Sequence, residues 1–258
     1  MTIRIFNASC LEFLKAQTDK SYDCVFADPP DNLNLGYDAY DDKLPPREYY
    51  DWLFNVTREM CRVSRGVAWL SINSKHLPSV HKWLTPAGYN ASRLFMWTYT
   101  FAQYSDTDCA NAFRPILRFA RKGWRPNVDL IREPSARMLL GDKRAAGPRV
   151  PSDVWSFPRV VGNAKERRAW HPTQHPEALM ERILLVSEPD APTLEKQGHY
   201  KVLDCFLGSG TTAIVSKRIG DIDCDGCEMS LNYCERAAEI IGCAVERFDA
   251  NSPFQKRA

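Results

Sequence analysis

The sequence has no long hydrophobic run and no secretory leader pattern, and both absences limit where this chain can work. None of the apolar stretches in its 258 residues approaches the length of about 18 to 20 residues that a membrane-spanning helix needs. The start, MTIRIFNASC, lacks the positive first region and the apolar core of a signal peptide. We therefore expect a cytoplasmic protein with no membrane partner.

Histidine is scarce near the cysteines, which argues against a zinc site. The chain has nine cysteines and five histidines. Cys224-x-x-Cys227, followed by Cys234 and Cys243, has the spacing of a partial zinc motif. Cys227, however, falls in a predicted strand and Cys234 in a predicted helix, and no histidine completes the set. We expect buried thiols in a reducing compartment, and no metal.

The net charge of +2 conceals a basic segment on an acidic body. Residues 114–168 contain 14 Lys or Arg against 5 Asp or Glu, so this segment has a net charge of +9 and the rest of the chain −7. Such an asymmetry suits either a surface that binds a polyanion or an ordinary solvated face. Composition alone leaves both open.

Strand and helix patterns alternate along most of the chain. Apolar runs predict strands at 3–7, 23–27, 66–72, 92–101, 116–120, 201–206 and 223–227, and helical periodicity predicts helices at 10–16, 48–64, 75–84, 176–187, 211–219 and 231–241. This alternation predicts an α/β fold with a doubly wound, mostly parallel sheet, in which 92–101 and 116–120 pair antiparallel. The proline-punctuated, basic residues 123–165 lack periodicity and predict an insertion into one domain formed by 1–122 and 166–258.

A glycine motif follows the predicted strand 201–206. Gly208-Ser209-Gly210 stands between this strand and a helix start, where glycine lets the backbone approach a ligand closely. Glu228 ends the next strand, at the spacing of an acid that binds ribose hydroxyls. NAD and S-adenosylmethionine both contain such a ribose. These residues alone therefore leave open a nicotinamide-dependent oxidoreductase as well as a methyltransferase.

Two further segments narrow this choice. Asp28-Pro29-Pro30 ends the strand 23–27, and Trp170-His171-Pro172-Thr173-Gln174-His175-Pro176 precedes the full glycine motif, Asp204-x-Phe206-x-Gly208-Ser209-Gly210-Thr211-Thr212. In this order the three segments resemble the β group of amino-group DNA methyltransferases, in which the catalytic motif precedes the cofactor motif. The resemblance covers most of the chain. It implies a Rossmann-like methyltransferase fold in which residues 123–165 are the target-recognition insertion.

The resemblance also implies the ligands and the site. The expected cofactor is S-adenosylmethionine, the expected partner is double-stranded DNA with the target base flipped out, and a homodimer is compatible with the family. Residues 5–14 are similar to the segment that contacts the cofactor's adenine, and His171 borders its methionine end. The expected catalytic residues are Asp28, Pro29, Pro30 and Asp31. The expected cofactor-binding residues are Ser9, Cys10, Asp28, His171, Pro172, Thr173, Asp204, Phe206, Gly208, Ser209, Gly210, Thr211, Thr212 and Glu228.

The Asp28 loop suits chemistry at an exocyclic base amine, whose lone pair is delocalised into the ring. Acceptors aimed at both N–H bonds can localise that lone pair as attack begins. Asp28 supplies a carboxylate oxygen, Pro29 supplies a backbone carbonyl, and the two prolines keep the loop rigid. Asp-Pro-Pro is more typical of adenine modifiers, so we expect adenine N6 as the target. Cytosine N4 is the alternative, and RNA stays open as a substrate because the amine chemistry is the same.

Five positions depart from the family pattern: Ser9 for an acid, Asp31 for an aromatic residue, Arg114 for a glutamate, His175 for a lysine and Cys205 for a proline. The aromatic residue stacks on the flipped base, a contact worth about 1 to 3 kcal/mol. Candidate replacements are Tyr37, Tyr40, Trp124 and Trp155. Alternatively, Asp31 hydrogen-bonds a base edge such as a cytosine amine, or the protein binds DNA without methylating it. The intact Asp28-Pro29-Pro30 and cofactor motifs favour an active enzyme.

Overall fold

The computed structural model describes residues 1–80, 89–99 and 106–248. Two predicted elements extend beyond these ranges. Residues 81–84 of the helix predicted at 75–84, and residues 100–101 of the strand predicted at 92–101, lie outside the described residues.

The described residues form one sheet of nine strands: β1 Ile3–Asn7, β2 Tyr22–Ala27, β3 Ser64–Ser71, β4 Tyr89–Thr98, β5 Phe113–Arg121, β6 Val154–Ser156, β7 Tyr200–Asp204, β8 Ile222–Glu228 and β9 Val245–Arg247. Their order across the sheet is β6-β4-β5-β3-β2-β7-β8-β1-β9. Among the described strands only β5 runs antiparallel to its neighbours, β3 and β4. The predicted mostly parallel sheet and the predicted antiparallel pairing of β4 with β5 are confirmed, and β3 with β5 is a second antiparallel pair.

Helices cover both faces of this sheet: α1 Cys10–Ala16, α2 Pro46–Val63, α3 Leu77–Val80, α4 Ala136–Leu139, α5 Glu177–Ser187, α6 Ala191–Gln197, α7 Thr211–Ile219 and α8 Leu231–Ile241. One core contains Phe13 of α1 and Leu53 of α2. The other contains Ile183 of α5, Val215 of α7 and Ala237 of α8. All six residues of β2 are buried between the two layers, as in a central parallel strand. The doubly wound prediction is confirmed. Across the described residues, every helix is too short or too polar to cross a membrane.

The ends of α7 and α8 coincide with the predicted bounds, 211–219 and 231–241. Gly220 and Gly242 end these helices with φ of 84° and 77°, values that glycine adopts without the steric penalty of a Cβ. The prediction missed α4, α6, β6 and β9. The two missed strands have three residues each, which is too few for an alternating pattern to be detected.

Residues 123–165 share the hydrophobic core of the rest of the chain. β6 lies in this segment and pairs with β4 at the sheet edge, where Trp155 is 1% exposed. Ile131 is buried in the same core, and the Asn127 amide donates to the Val186 carbonyl at 3.0 Å. Trp155 therefore stabilises this segment and is not available to stack on a base.

The strand order brings three acidic residues to one edge of the sheet. β2, β7 and β8 are parallel neighbours, so Asp28, Asp204 and Glu228 lie at or just beyond their carboxyl ends. The chain leaves β2 for β3 on one side and leaves β7 for β8 on the other. The gap between β2 and β7 is thus the point where the strand order reverses, which is where open α/β sheets bind ligands.

Candidate functional site

A cavity of about 290 Å³ opens at this edge of the sheet. The predicted site residues that line it are Ser9, Cys10, Asp28, Pro30, His171, Thr173, Asp204, Phe206, Gly208, Ser209, Thr211, Thr212 and Glu228. Four predicted site residues are not among its walls: Pro29, Asp31, Pro172 and Gly210. The tertiary structure therefore brings together most of the residues that the three sequence motifs indicated.

The glycine motif forms the floor of the cavity. Gly208 and Gly210 have φ of +48° and +79°, and Gly210 is the N-cap of α7. A Cβ on Gly208 would lie 2.7 Å from His171 Nε2, so a larger residue at 208 would displace that ring. Burial lowers the pKa of His171, and its Nδ1–H donates to the Thr173 carbonyl. The neutral ring thereby packs on the glycine loop.

Glu228 holds the glycine loop from the neighbouring strand. Its Oε2 accepts from the Gly208 amide at 3.0 Å, and its Oε1 accepts from the Ser230 amide at 2.8 Å. Burial raises the pKa of Glu228, and these two amides oppose that effect. Because each carboxylate oxygen has two lone pairs, both can also accept from a vicinal diol in the cavity.

Asp204 is buried below the same loop. Its Oδ1 accepts from the Phe206 amide at 3.0 Å, and its Oδ2 accepts from Thr212 Oγ1 at 2.5 Å. Burial raises the pKa of Asp204 to about 6, although both hydrogen bonds favour the carboxylate. At neutral pH the residue therefore supplies negative charge to the cavity.

Asp28 is held at both carboxylate oxygens. Arg114 Nη2 donates to Oδ1 at 2.6 Å, and His175 Nδ1 lies 3.2 Å from Oδ2. Burial alone would raise the pKa of Asp28, but Arg114 and His175 outweigh it and keep that pKa well below its usual value. The side chain, which is 20% exposed, is therefore a carboxylate that still reaches the cavity.

Asp31 faces Arg114 and not the cavity. Arg114 Nη1 donates to Asp31 Oδ2 at 2.6 Å, and the Asn73 amide donates to Oδ1 at 2.8 Å. His76 Nε2 donates to the Asp31 carbonyl at 2.7 Å, which leaves His76 Nδ1 to accept from the Tyr50 hydroxyl at 3.1 Å. Asp31 therefore orients Arg114 and closes the loop after the two prolines.

Ser71 connects Arg114 to His175. Arg114 Nε donates to Ser71 Oγ at 2.7 Å, and Ser71 Oγ lies 3.0 Å from His175 Nε2. Because the Asp28 carboxylate can only accept, His175 Nδ1 donates to it, and His175 Nε2 shares its hydrogen bond with the Ser71 hydroxyl. Arg114, Ser71, His175 and Asp28 form a closed hydrogen-bonded ring that we call the Asp28 network.

Of the residues that join Asp28 in this network, the sequence marks Arg114 and His175 only as departures from the family pattern, and it gives no sign of Ser71. Arg114 and His175 each replace another residue of the family pattern, and nothing local connects either with Asp28. Ser71 ends a buried strand and has no motif around it. Asp31 and Arg114, two of the five departures, form one ion pair.

Aromatic residues form another part of the cavity wall. Tyr37, Tyr40, Trp52, Phe206 and Tyr233 line it, and Tyr37 contacts His171 with ring centroids 6.2 Å apart. The first two belong to the loop between β2 and α2. Of the four candidates for a base-stacking residue, only these two tyrosines lie at the cavity. Trp124 packs against the core, and the Arg118 guanidinium carbon lies 5.1 Å from the centroid of the Trp124 ring.

The basic segment presents most of its charge to solvent. Its exposed basic side chains are Lys122, Arg125, Arg132, Arg137, Lys143, Arg144, Arg149, Arg159, Lys165 and Arg167. Some pair with local acids, for example Arg137 with Asp142 at 2.7 Å. Within the described part of the chain, Lys143 and Arg149 have no ion pair.

The cysteines do not form a ligand cluster. Cys224 and Cys227 lie in β8 and Cys234 in α8, and all three are buried free thiols. Burial raises the pKa of Cys234 to about 12. Across residues 1–80, 89–99 and 106–248, no three His, Cys, Asp or Glu residues are grouped so that they could hold a metal ion.

Comparison with known proteins gives consistent results. A family model described as DNA methylase, covering N6 and N4 enzymes, matches residues 22–239. The type II methyltransferase M.HpaI of Haemophilus parainfluenzae is 29% identical over 263 residues, which cover 100% of this chain and 80% of that protein. The DNA adenine methyltransferase YhdJ of Escherichia coli K12 is 31% identical over 227 residues, 82% of this chain and 74% of YhdJ.

Solved structures share the fold at lower identity. The cytosine-N4-specific PvuII DNA methyltransferase superposes with a TM-score of 0.69 at 17% identity, over 92% of this chain and 86% of that one. A complex of M1.HpyAVI with SAM gives a TM-score of 0.62 at 18% identity, over 92% and 98% of the two chains.

Proposed function

We propose that this chain, which belongs to the N6/N4 DNA methylase family, transfers a methyl group from S-adenosylmethionine to N6 of adenine in double-stranded DNA. The family match and the relatives make it a site-specific DNA amino-methyltransferase. The cofactor supplies a methyl group that its sulfonium already activates. The residues of this chain bind that cofactor, hold the acceptor amine and keep both in place.

The cavity fits S-adenosylmethionine by its chemistry. Glu228 can accept from the two ribose hydroxyls, and the glycine loop leaves room for close approach. Asp204 and Asp28 supply negative charge for the positively charged end of the cofactor. Trp52 and Phe206 supply an apolar wall for its base.

The single observation that carries the proposal is the Asp28 carboxylate, fixed at the edge of this cavity. Because the pKa of Asp28 is held well below the usual range, its carboxylate accepts a hydrogen bond from the target amine. It does not take up the proton of that amine. The Tyr49 hydroxyl donates to the Pro30 carbonyl at 2.9 Å, which fixes the loop after Asp28. The Pro29 carbonyl, although it is not among the cavity walls, is the proposed second acceptor. Little reorganisation is then needed when the target base arrives.

Adenine is the target that the relatives favour. YhdJ, the adenine methyltransferase, is 31% identical, whereas the likeness to the cytosine-N4-specific PvuII protein at 17% identity concerns the fold alone. The cytosine alternative depended in part on Asp31 contacting the base amine. Asp31 is buried, is not among the cavity walls and is hydrogen-bonded to Arg114 and Asn73, so it is not placed to contact a base edge in the cavity.

Residues 123–165 form the proposed target-recognition segment of a catalytic domain built from 1–122 and 166–258. Their exposed Lys and Arg side chains suit phosphate contacts and guanine readout. Base flipping, a homodimer and a cytoplasmic location remain predictions.

The test is transfer of labelled methyl from S-adenosylmethionine to unmethylated DNA, followed by nucleoside digestion and mass analysis. We expect N6-methyladenine from the wild type. Asp28→Ala should lower the rate by about 100-fold or more while S-adenosylhomocysteine and DNA still bind. Asp51→Ala, at an exposed position, is the control and should leave the rate unchanged.

Three results would contradict parts of this proposal. N4-methylcytosine as the product would replace the adenine assignment. Binding of both ligands without product on DNA or RNA would favour a binding protein without turnover. Retained turnover in Asp28→Ala would remove Asp28 as the acceptor.

A further inference from the structure

The loop between β2 and α2 is held in place by its own hydrogen bonds. The Asp42 carboxylate, 2% exposed, accepts from the amides of Asn32 at 2.7 Å, Leu33 at 3.0 Å and Leu35 at 3.0 Å. Ser230 Oγ donates to Asp38 Oδ2 at 2.5 Å and joins the loop to the start of α8. The residues between these two anchors are therefore positioned over the cavity by the protein itself.

Tyr40 belongs to this loop and faces an aromatic wall. Its ring stacks on Trp52 with centroids 6.0 Å apart and planes 28° apart. Trp52 in turn meets Phe206 edge-on at 5.9 Å. All three side chains line the cavity. A flat, apolar-faced ring is the kind of group that such a wall accommodates.

The Tyr40 hydroxyl is buried without a hydrogen-bond partner. Few buried polar side-chain atoms in the described residues share this condition, and among them Tyr40 Oη is the one on the cavity wall. By contrast, the hydroxyl of the neighbouring Tyr37 is hydrogen-bonded to Thr173. A buried donor with no partner destabilises a protein, so its presence at a ligand cavity indicates that a ligand atom completes it.

We propose that Tyr40 is a cofactor-binding residue whose hydroxyl pairs with the polar edge of the cofactor's adenine ring. Glu228 is placed for the ribose and Asp28 and Asp204 for the charged end, which leaves the aromatic wall for the base. Burial raises the pKa of Tyr40 to about 12, so the hydroxyl keeps its proton and can donate. This inference rests on S-adenosylmethionine as the cofactor and is independent of which DNA base is methylated.

The test measures binding of S-adenosylhomocysteine and of adenosine to Tyr40→Phe, together with the melting temperature of the ligand-free protein. We expect both ligands to bind about 3- to 10-fold more weakly, because one hydrogen bond to each is lost. The melting temperature should stay the same or rise, since a buried donor without a partner has been removed.

Tyr200→Phe is the matched control. The Tyr200 hydroxyl is buried and donates to the Leu184 carbonyl at 3.0 Å, away from the cavity. Its removal should lower the melting temperature and leave both affinities unchanged. The reverse pattern in Tyr40→Phe, weaker binding without lower stability, is what a purely structural tyrosine would not produce.

Three outcomes would overturn the inference. Unchanged affinities in Tyr40→Phe would show that the hydroxyl does not touch the cofactor. Weaker binding of S-adenosylhomocysteine with unchanged binding of adenosine would place the hydroxyl away from the adenine. Failure of the wild type to bind either ligand would remove the cofactor assignment together with this role of Tyr40.

Discussion

Removal of the Arg114 guanidinium should both destabilise the protein and change how its stability depends on pH. Arg114 donates to Asp28 at 2.6 Å and to Asp31 at 2.6 Å, and these three side chains are only 11 to 20% exposed. Arg114→Gln removes the charge that both carboxylates share. Breaking a buried ion pair by deleting one partner costs about 3 to 5 kcal/mol. We expect about 3 kcal/mol, because the side chains keep some contact with water.

The pH dependence gives the sharper test. In the wild type the folded-state pKa of Asp28 is depressed, so its ion pair adds stability at pH values above the usual aspartate pKa, and this stability is lost as the pH falls through the folded-state value. Without Arg114, burial dominates and the pKa of Asp28 rises. The stability difference between wild type and Arg114→Gln should therefore be largest near neutral pH and shrink on acidification.

Urea unfolding at several pH values measures this difference. The control is Arg93→Gln, because the ion pair of Arg93 with Asp153, at 3.1 Å, joins two side chains that are about half exposed, at 55% and 47%. That variant should hardly change the unfolding midpoint. The reasoning would be refuted if Arg114→Gln behaved like Arg93→Gln near neutral pH. A loss that stayed constant with pH would also refute it, because the effect would then not come from the two carboxylates.

Two further predictions concern the cofactor and DNA. Because the pKa of Asp204 is raised to about 6, its carboxylate forms between about pH 5 and pH 7. The affinity for the positively charged S-adenosylmethionine should therefore rise over that range. Calorimetry that shows the same affinity at every pH would contradict this electrostatic role. Lys143→Ala and Arg149→Ala should each lower the salt dependence of DNA binding by about one counterion. Arg137→Ala, whose guanidinium is already paired with Asp142, should change it less, and equal effects in all three would argue against individual phosphate contacts.

Local sequence determined the parts of this protein that depend on neighbouring residues. The glycines of the motif at 208–210 and those after α7 and α8 have positive φ, so they mark turns whatever surrounds them. The apolar run before Asp28 predicted a buried strand, and the periodicity of α2 predicted a helix; in the structure both contribute to the same core. The resemblance to the methyltransferase family implied that Asp28 and the glycine motif belong to one site, and the parallel pairing of β2 with β7 brings both to the same edge of the sheet.

Only the tertiary structure determined the contacts between distant residues. Asp31 and Arg114 are 83 positions apart, and in the sequence each is an unexplained departure from the family pattern. The pairing of β3 with β5 brings Arg114 next to the Asp28 loop, where the two residues form an ion pair. Contacts between separate elements also determine which residues pair with Asp28. They likewise determine the burial of the Tyr40 hydroxyl without a partner and the position of the short strand β6. Hydrogen bonds and ion pairs act over a few ångströms in space, and no local pattern records which distant side chains will come within that range.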